Sequence, residues 1–154
     1  MATDEASASA LMAALDWKVA VPLVGQALDA LAAREPKQKL GVMGFCMGGA
    51  LSLACAAAFP QLAACVPFYG IGPKLDAARI QAKVQAHFAI HDEWCSPPRV
   101  DALQAQLEAA KISFELYRYD AKHAFFNDTR PVYSPENAKL AWERTLQFLH
   151  TVLG

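Results

Sequence analysis

The stretch Gly41-Val42-Met43-Gly44-Phe45-Cys46-Met47-Gly48-Gly49-Ala50 decides how the chain is read. Leu40 to Phe45 is a short apolar run bounded by glycine, the pattern of a buried strand. Gly48 to Phe59 is rich in Ala and Leu and reads as a helix, with Pro60 behind it. Between them stands G-x-nucleophile-x-G, with Cys46 in the central place, at the strand-to-helix turn that such a motif requires. A nucleophile held at so sharp a turn sits in strained backbone. Glycine is therefore expected two residues before it (Gly44) and two after it (Gly48), so that strand and helix can approach without Cβ clashes. The helix N-terminus would point at the sulfur and favour thiolate. The Met47 N–H is the candidate oxyanion donor. The competing reading is a glycine-rich turn with an ordinary small residue at its centre.

Working outward, Asp16 to Ala33 carries Trp17, Ala20, Val21, Val24, Leu28 and Leu31 at helical spacings, with Asp16 as N-cap. Residues 1–15 are expected to be a flexible N-terminus, and residues 16–154 a single domain. Downstream, Ala63–Tyr69, Val84–Ile90 and Phe114–Tyr119 read as further strands. Arg99–Ala110 reads as a helix, and Ser134-Pro135 opens a last one as N-cap and N1. Ala138, Trp142, Leu146, Leu149 and Leu153 are assigned to that helix's buried face. Strands alternating with helices predict an α/β fold, with about four mostly parallel strands covered by helices.

The chain has 154 residues, 55% of them hydrophobic, and a net charge of −1. Scattered Lys and Arg give no sign of a nucleic-acid or anionic-membrane partner. No apolar run reaches the length of a transmembrane helix, and Met1–Ala10 lacks the features of a secretory signal. A cytoplasmic location is expected. Cys46, Cys55, Cys65 and Cys95 show neither C-x-x-C nor zinc spacing, so no metal is expected and buried free thiols are the default.

A thiol nucleophile needs a base. Of the four histidines, His87 lies within a strand and His150 near a helix end. His91 precedes Asp92 at a strand end, and His123 follows the fourth strand. In a parallel sheet the loops after the strands share one edge. Cys46, the His91–Trp94 loop and His123 therefore meet there, in the chain order nucleophile, acid, base. Asp92 can fix the tautomer of His123, whose other nitrogen then faces Cys46. The aromatic residues Phe45, Tyr69, Trp94 and Phe125 are candidate pocket residues.

Several stretches together resemble the dienelactone hydrolase family, carboxymethylenebutenolidase-like proteins of the α/β-hydrolase superfamily. They are Gly44–Gly49, Val66–Gly70, His91–Trp94, His123–Pro131 and Ala141–Leu146. The resemblance runs from about Asp16 to the C-terminus. It implies a partial α/β-hydrolase fold and a Cys46-Asp92-His123 triad acting on a small ester or lactone without metal or cofactor. Two departures stand out. The acid loop carries one extra residue before its proline, which keeps Glu93 open as the acid. The family's strands before the first helix have no counterpart, and with them goes the loop that gives the second oxyanion N–H. The Leu40–Phe45 strand is then expected to have an open edge that invites a homodimer. Three readings follow: a cysteine hydrolase, a weakly active or non-catalytic assembly subunit, and a redox-sensing thiol.

Overall fold

The computed structural model describes residues 4–154. The elements are α1 (Glu5–Ala13), α2 (Trp17–Arg34), β1 (Leu40–Phe45), α3 (Met47–Ala58), β2 (Leu62–Phe68), β3 (Lys83–His91), α4 (Pro97–Ala109), β4 (Phe114–Lys122) and α5 (Pro135–Leu153). The strands form one parallel sheet in the order β1-β2-β3-β4. The sequence-predicted α/β architecture is the one observed.

Burial follows position in the sheet. β2 is buried along nearly its whole length and β3 over six consecutive residues, because helices cover both faces. β1 and β4 are outer strands and alternate between covered and exposed residues. One core lies on the α2–α3–α4 side, built from Leu28, Leu53, Val84, Phe88, Leu103 and Leu107 among others. The other lies under α5 and includes Val66, Phe68, Tyr119, Phe125 and Phe148. No single helix among the described residues is long and apolar enough to cross a membrane.

Three features go beyond or depart from the sequence expectations. Within the N-terminal segment, Glu5–Ala13 forms the helix α1. Asp4 caps it by accepting from the Ser7 N–H at 2.8 Å, and an Ala-rich stretch carries it on. Positions 1–3 of that segment lie outside the described residues. The buried stripe of α5 is rotated from the predicted one. Ala138, Ala141, Thr145, Phe148 and Val152 face the sheet, whereas Trp142 and Leu146 are exposed. The polar Thr145 can be buried because its hydroxyl donates to the Ala141 carbonyl (2.9 Å) and meets His87 Nε2 (3.1 Å). Finally, β3 and β4 run further than their apolar patterns do. They pair again at His91 and Lys122 past an irregularity, beside a hydrogen-bond contact of His91 Nε2 with Asp120 Oδ1 at 2.8 Å.

Candidate active site

Cys46 stands between β1 and α3 with φ 54° and ψ −117°, outside the regions open to most side chains. Tyr69 (φ 35°) and Ala124 (φ 63°) are also left-handed, and both adjoin the same site. Such strain persists only where the surroundings over-determine it. Here the Cys46 N–H donates to the Phe68 carbonyl at 3.0 Å, and the Tyr69 N–H donates to the His87 carbonyl at 2.7 Å. The turn is thus pinned to the end of β2, and β2 to β3.

The glycines divide differently from the sequence expectation. A Cβ on Gly44 would stand 2.0 Å from the Gly48 carbonyl oxygen, so Gly44 is required. A Cβ on Gly48 would meet nothing within 4 Å. It is the backbone of Gly48 that crowds Gly44, and the side-chain position of Gly48 is free. Gly49 and Gly70 carry the remaining constraint. Their Cβ atoms would lie 2.5 Å from the Phe68 oxygen and 2.0 Å from the Cys46 oxygen. Gly70 was not singled out from the sequence, although its place directly after the second strand was the available signal.

The three chemistry-bearing side chains meet at the carboxyl ends of the strands. His123 Nε2 lies 3.2 Å from Cys46 Sγ, and His123 Nδ1 lies 2.7 Å from Asp92 Oδ2. Asp92 is buried, and its second oxygen accepts the N–H groups of Trp94 and Cys95, both at 2.8 Å. Glu93 makes no contact of this kind. Its neighbour Asp92 holds the imidazole.

Electrostatics follows from these contacts. The hydrogen bond from His123, aided by the imidazole charge and the Met47 N–H, lowers the Cys46 thiol pKa against the opposing effect of burial. Burial would depress the His123 imidazole, but its bonds to Asp92 and Cys46 outweigh that and push it up to about 9. Burial would raise the Asp92 carboxyl, yet the His123 bond and the two backbone N–H groups hold it below its usual value. The Cys46 and His123 shifts both move the pair towards thiolate and imidazolium. The other thiols differ. Burial raises Cys55 and Cys95 to about 11 and Cys65 to about 12.

A cavity of about 160 Å³ opens beside the sulfur, lined by Tyr69 and Trp94 as expected, and also by Trp17, Met47, Ile71 and Arg99. Trp94 and Tyr69 both pack on the His123 ring, with centroids 5.1 Å away. Two of the expected pocket residues lie elsewhere. Phe125 is fully buried in the α5-side core, against Tyr69 and Tyr119, because the tight turn after His123 directs it inward. Phe45 stacks on Phe68 and Phe126 and lines a separate groove beside Trp142. Arg99, in the first turn of α4, was missed from sequence. It donates to the Trp94 carbonyl and, at 3.1 Å, to the Ile71 carbonyl, bridging the two loops that wall the cavity.

His87 serves the fold. It is buried between Tyr119 (Nδ1 to OH, 2.8 Å) and Gln85 (Nε2 to Oε1, 3.1 Å), and burial together with the nearby Arg144 lowers it to about 3. No cluster of three or more metal-ligating side chains occurs among the described residues.

The profile of the dienelactone hydrolase family matches residues 1–153. This chain belongs to the dienelactone hydrolase family. Among curated relatives, protein usf of Aquifex pyrophilus is 36% identical over 124 residues, covering 77% of this chain and 53% of that protein. A carboxymethylenebutenolidase of Pseudomonas sp. (strain P51) is 33% identical, covering 71% of this chain and 47% of the relative. Among solved structures, one from Klebsiella pneumoniae that carries the dienelactone hydrolase name superposes with a TM-score of 0.71 at 32% identity. That match covers 78% of this chain and 57% of the other. The chain thus spans about half the length of the curated family members it matches.

Proposed function

We propose that the chain acts as a cysteine-dependent hydrolase of small esters or lactones, with Cys46 as nucleophile, His123 as general base and acid, and Asp92 as the group that orients His123. The observation that carries this reading is the continuous line Asp92–His123–Cys46, at 2.7 and 3.2 Å, on the loop edge of the sheet. The carboxymethylenebutenolidase name of a relative supports an ester or lactone as the substrate class.

The thiolate of Cys46 attacks the carbonyl carbon, forming a C–S bond, and the carbonyl electrons move to oxygen. The Met47 N–H, at the N-terminus of α3, donates to that oxyanion. Collapse of the intermediate breaks the C–O bond, and His123 Nε2 gives its proton to the departing oxygen. A thioester on Cys46 remains. Water then attacks with its proton taken by neutral His123. The C–S bond breaks, the acid leaves, and the thiolate–imidazolium pair is restored. Asp92 keeps Nδ1 protonated and the ring aimed at the sulfur throughout.

The test is turnover of p-nitrophenyl acetate by the wild-type chain and by Cys46→Ala. Wild-type turnover should exceed the variant's by at least about 10³-fold. Equal rates would refute the assignment.

A further inference from the structure

A second cavity of about 220 Å³ lies next to the one at the sulfur and shares Trp17, Ala50, Gly72 and Pro73 with it. Its remaining walls are Val21, Leu53, Ala54, Lys74 and Leu75. The four shared residues make the two cavities neighbours along one flank of α3, a cleft running from Cys46 towards Ala54. From Cys46 to Ala54 the helix rises about 12 Å. We propose that this cleft is an acyl channel, and that the site takes esters of medium-chain acids in preference to short ones. The inference rests on Cys46 being the nucleophile.

Three observations support it. The lining of the far cavity is apolar apart from Lys74, which is exposed. An apolar chain would displace water that has few hydrogen-bond partners there. The direction is set by His123. The leaving oxygen must lie within reach of its Nε2, and neither His123 nor Trp94 lines the far cavity. The leaving group therefore sits on the His123 side, and the acyl arm is the one that runs down α3. Gly72 lines both cavities, and a Cβ there would stand at ordinary contact distance, 3.8–4.0 Å, from Ala50 and Trp17, so a larger side chain would project into the space between them.

The experiment compares kcat/KM for p-nitrophenyl acetate, butyrate and octanoate in the wild type, Ala54→Leu and Gly72→Val. Each buried methylene contributes about fourfold. Octanoate has six methylenes more than acetate, and burial of half of them would raise kcat/KM about 60-fold over acetate. Ala54→Leu, a favourable residue in a helix, fills the far end and should move the optimum to butyrate. Gly72→Val closes the junction and should bring the octanoate-to-acetate ratio down to within a few-fold of one. A flat wild-type dependence on chain length, with acetate turnover still requiring Cys46, would overturn the channel and leave the hydrolase reading standing. Should no ester be turned over, the hydrolase reading fails, and calorimetry decides the channel separately. Octanoate should bind saturably to Cys46→Ala and not to Cys46→Ala combined with Ala54→Leu. Absence of octanoate binding to Cys46→Ala would overturn the channel.

Discussion

The two glycines of the elbow motif should respond in opposite ways to the same added methyl group. In Gly44→Ala the new Cβ would stand 2.0 Å from the Gly48 carbonyl oxygen and 2.2 Å from its carbon. Both are backbone atoms, so no side-chain rotation relieves the contact. β1 and α3 would have to separate by about 1 Å to reach even a tight van der Waals approach. That displacement would break the close fit of α3 on β2, where Gly49 and Gly70 approach so tightly that an added Cβ would stand 2.5 Å from the Phe68 oxygen or 2.0 Å from the Cys46 oxygen. Overpacking of this kind costs about 3 kcal/mol at the upper end of the usual range. For a chain of this size that is about 6–12 °C in Tm. Gly48→Ala meets nothing within 4 Å and lies in the first turn of α3 with ordinary φ. It should be neutral or stabilising by about 0.4–1 kcal/mol, through helix propensity and a less flexible unfolded chain. Thermal unfolding followed by circular dichroism reads both. A loss above about 1 kcal/mol in Gly48→Ala, or a wild-type Tm in Gly44→Ala, would refute the steric argument.

Asp92→Asn should lower turnover by about 10³–10⁴-fold and bring the His123 pKa down from about 9, measured by NMR titration of the ring. An unmoved His123 titration would show that Asp92 does not hold it. Because the Asp92 carboxyl is depressed on folding, it contributes stability that is present above about 3.8 and lost as pH falls through its folded value. Asp92→Asn should flatten that acid limb in stability measured against pH. Limiting iodoacetamide with mass mapping should label Cys46 before Cys55, Cys65 and Cys95. The last three are buried with raised pKa values, so early labelling of any of them would contradict the electrostatics of the site. β1 pairs with β2 alone among the described residues and exposes Met43 and Phe45. The described chain should therefore self-associate through this edge, as a dimer or on mild heating as larger species. Sedimentation velocity showing a monomer at all accessible concentrations, stable to mild heating, would count against this.

What could be read from sequence was whatever a local pattern dictates. The elbow was legible because its backbone needs small residues at fixed offsets, and Cys46, Asp92 and His123 were placed by the rule that loops after parallel strands share an edge. The choice of Asp92 over Glu93 needed coordinates, since adjacent carboxylates differ only in which way the loop points them. Gly48 was misjudged because the motif records which positions are small, and not whether the side chain or the backbone is the crowded part. The α5 face was misassigned because Thr145 counts as polar in any periodicity, while its two hydrogen bonds make it a core residue. Phe125 is fully buried while its neighbour Phe126 is half-buried at the edge of the same core, beyond a positive φ at Ala124 that no composition reveals.

Arg99 joins the carbonyls of Trp94 and Ile71, while Asp92 gathers the amides of Trp94 and Cys95 and the ring of His123. A cation in the first turn of a helix opposes the helix dipole, so its place there is explained by the bridge and not by α4. The two walls of the cavity are thereby linked to the acid. For either loop to open, the linkage must be released at Arg99, and the carboxylate then loses the backbone donors that hold it in position. The Trp94 and Cys95 amides should consequently exchange with solvent as one cooperative unit, with the same opening free energy. Opening of these two loops is therefore also the motion that disarms the imidazole, so widening of the cavity beyond its resting shape and catalytic competence exclude one another.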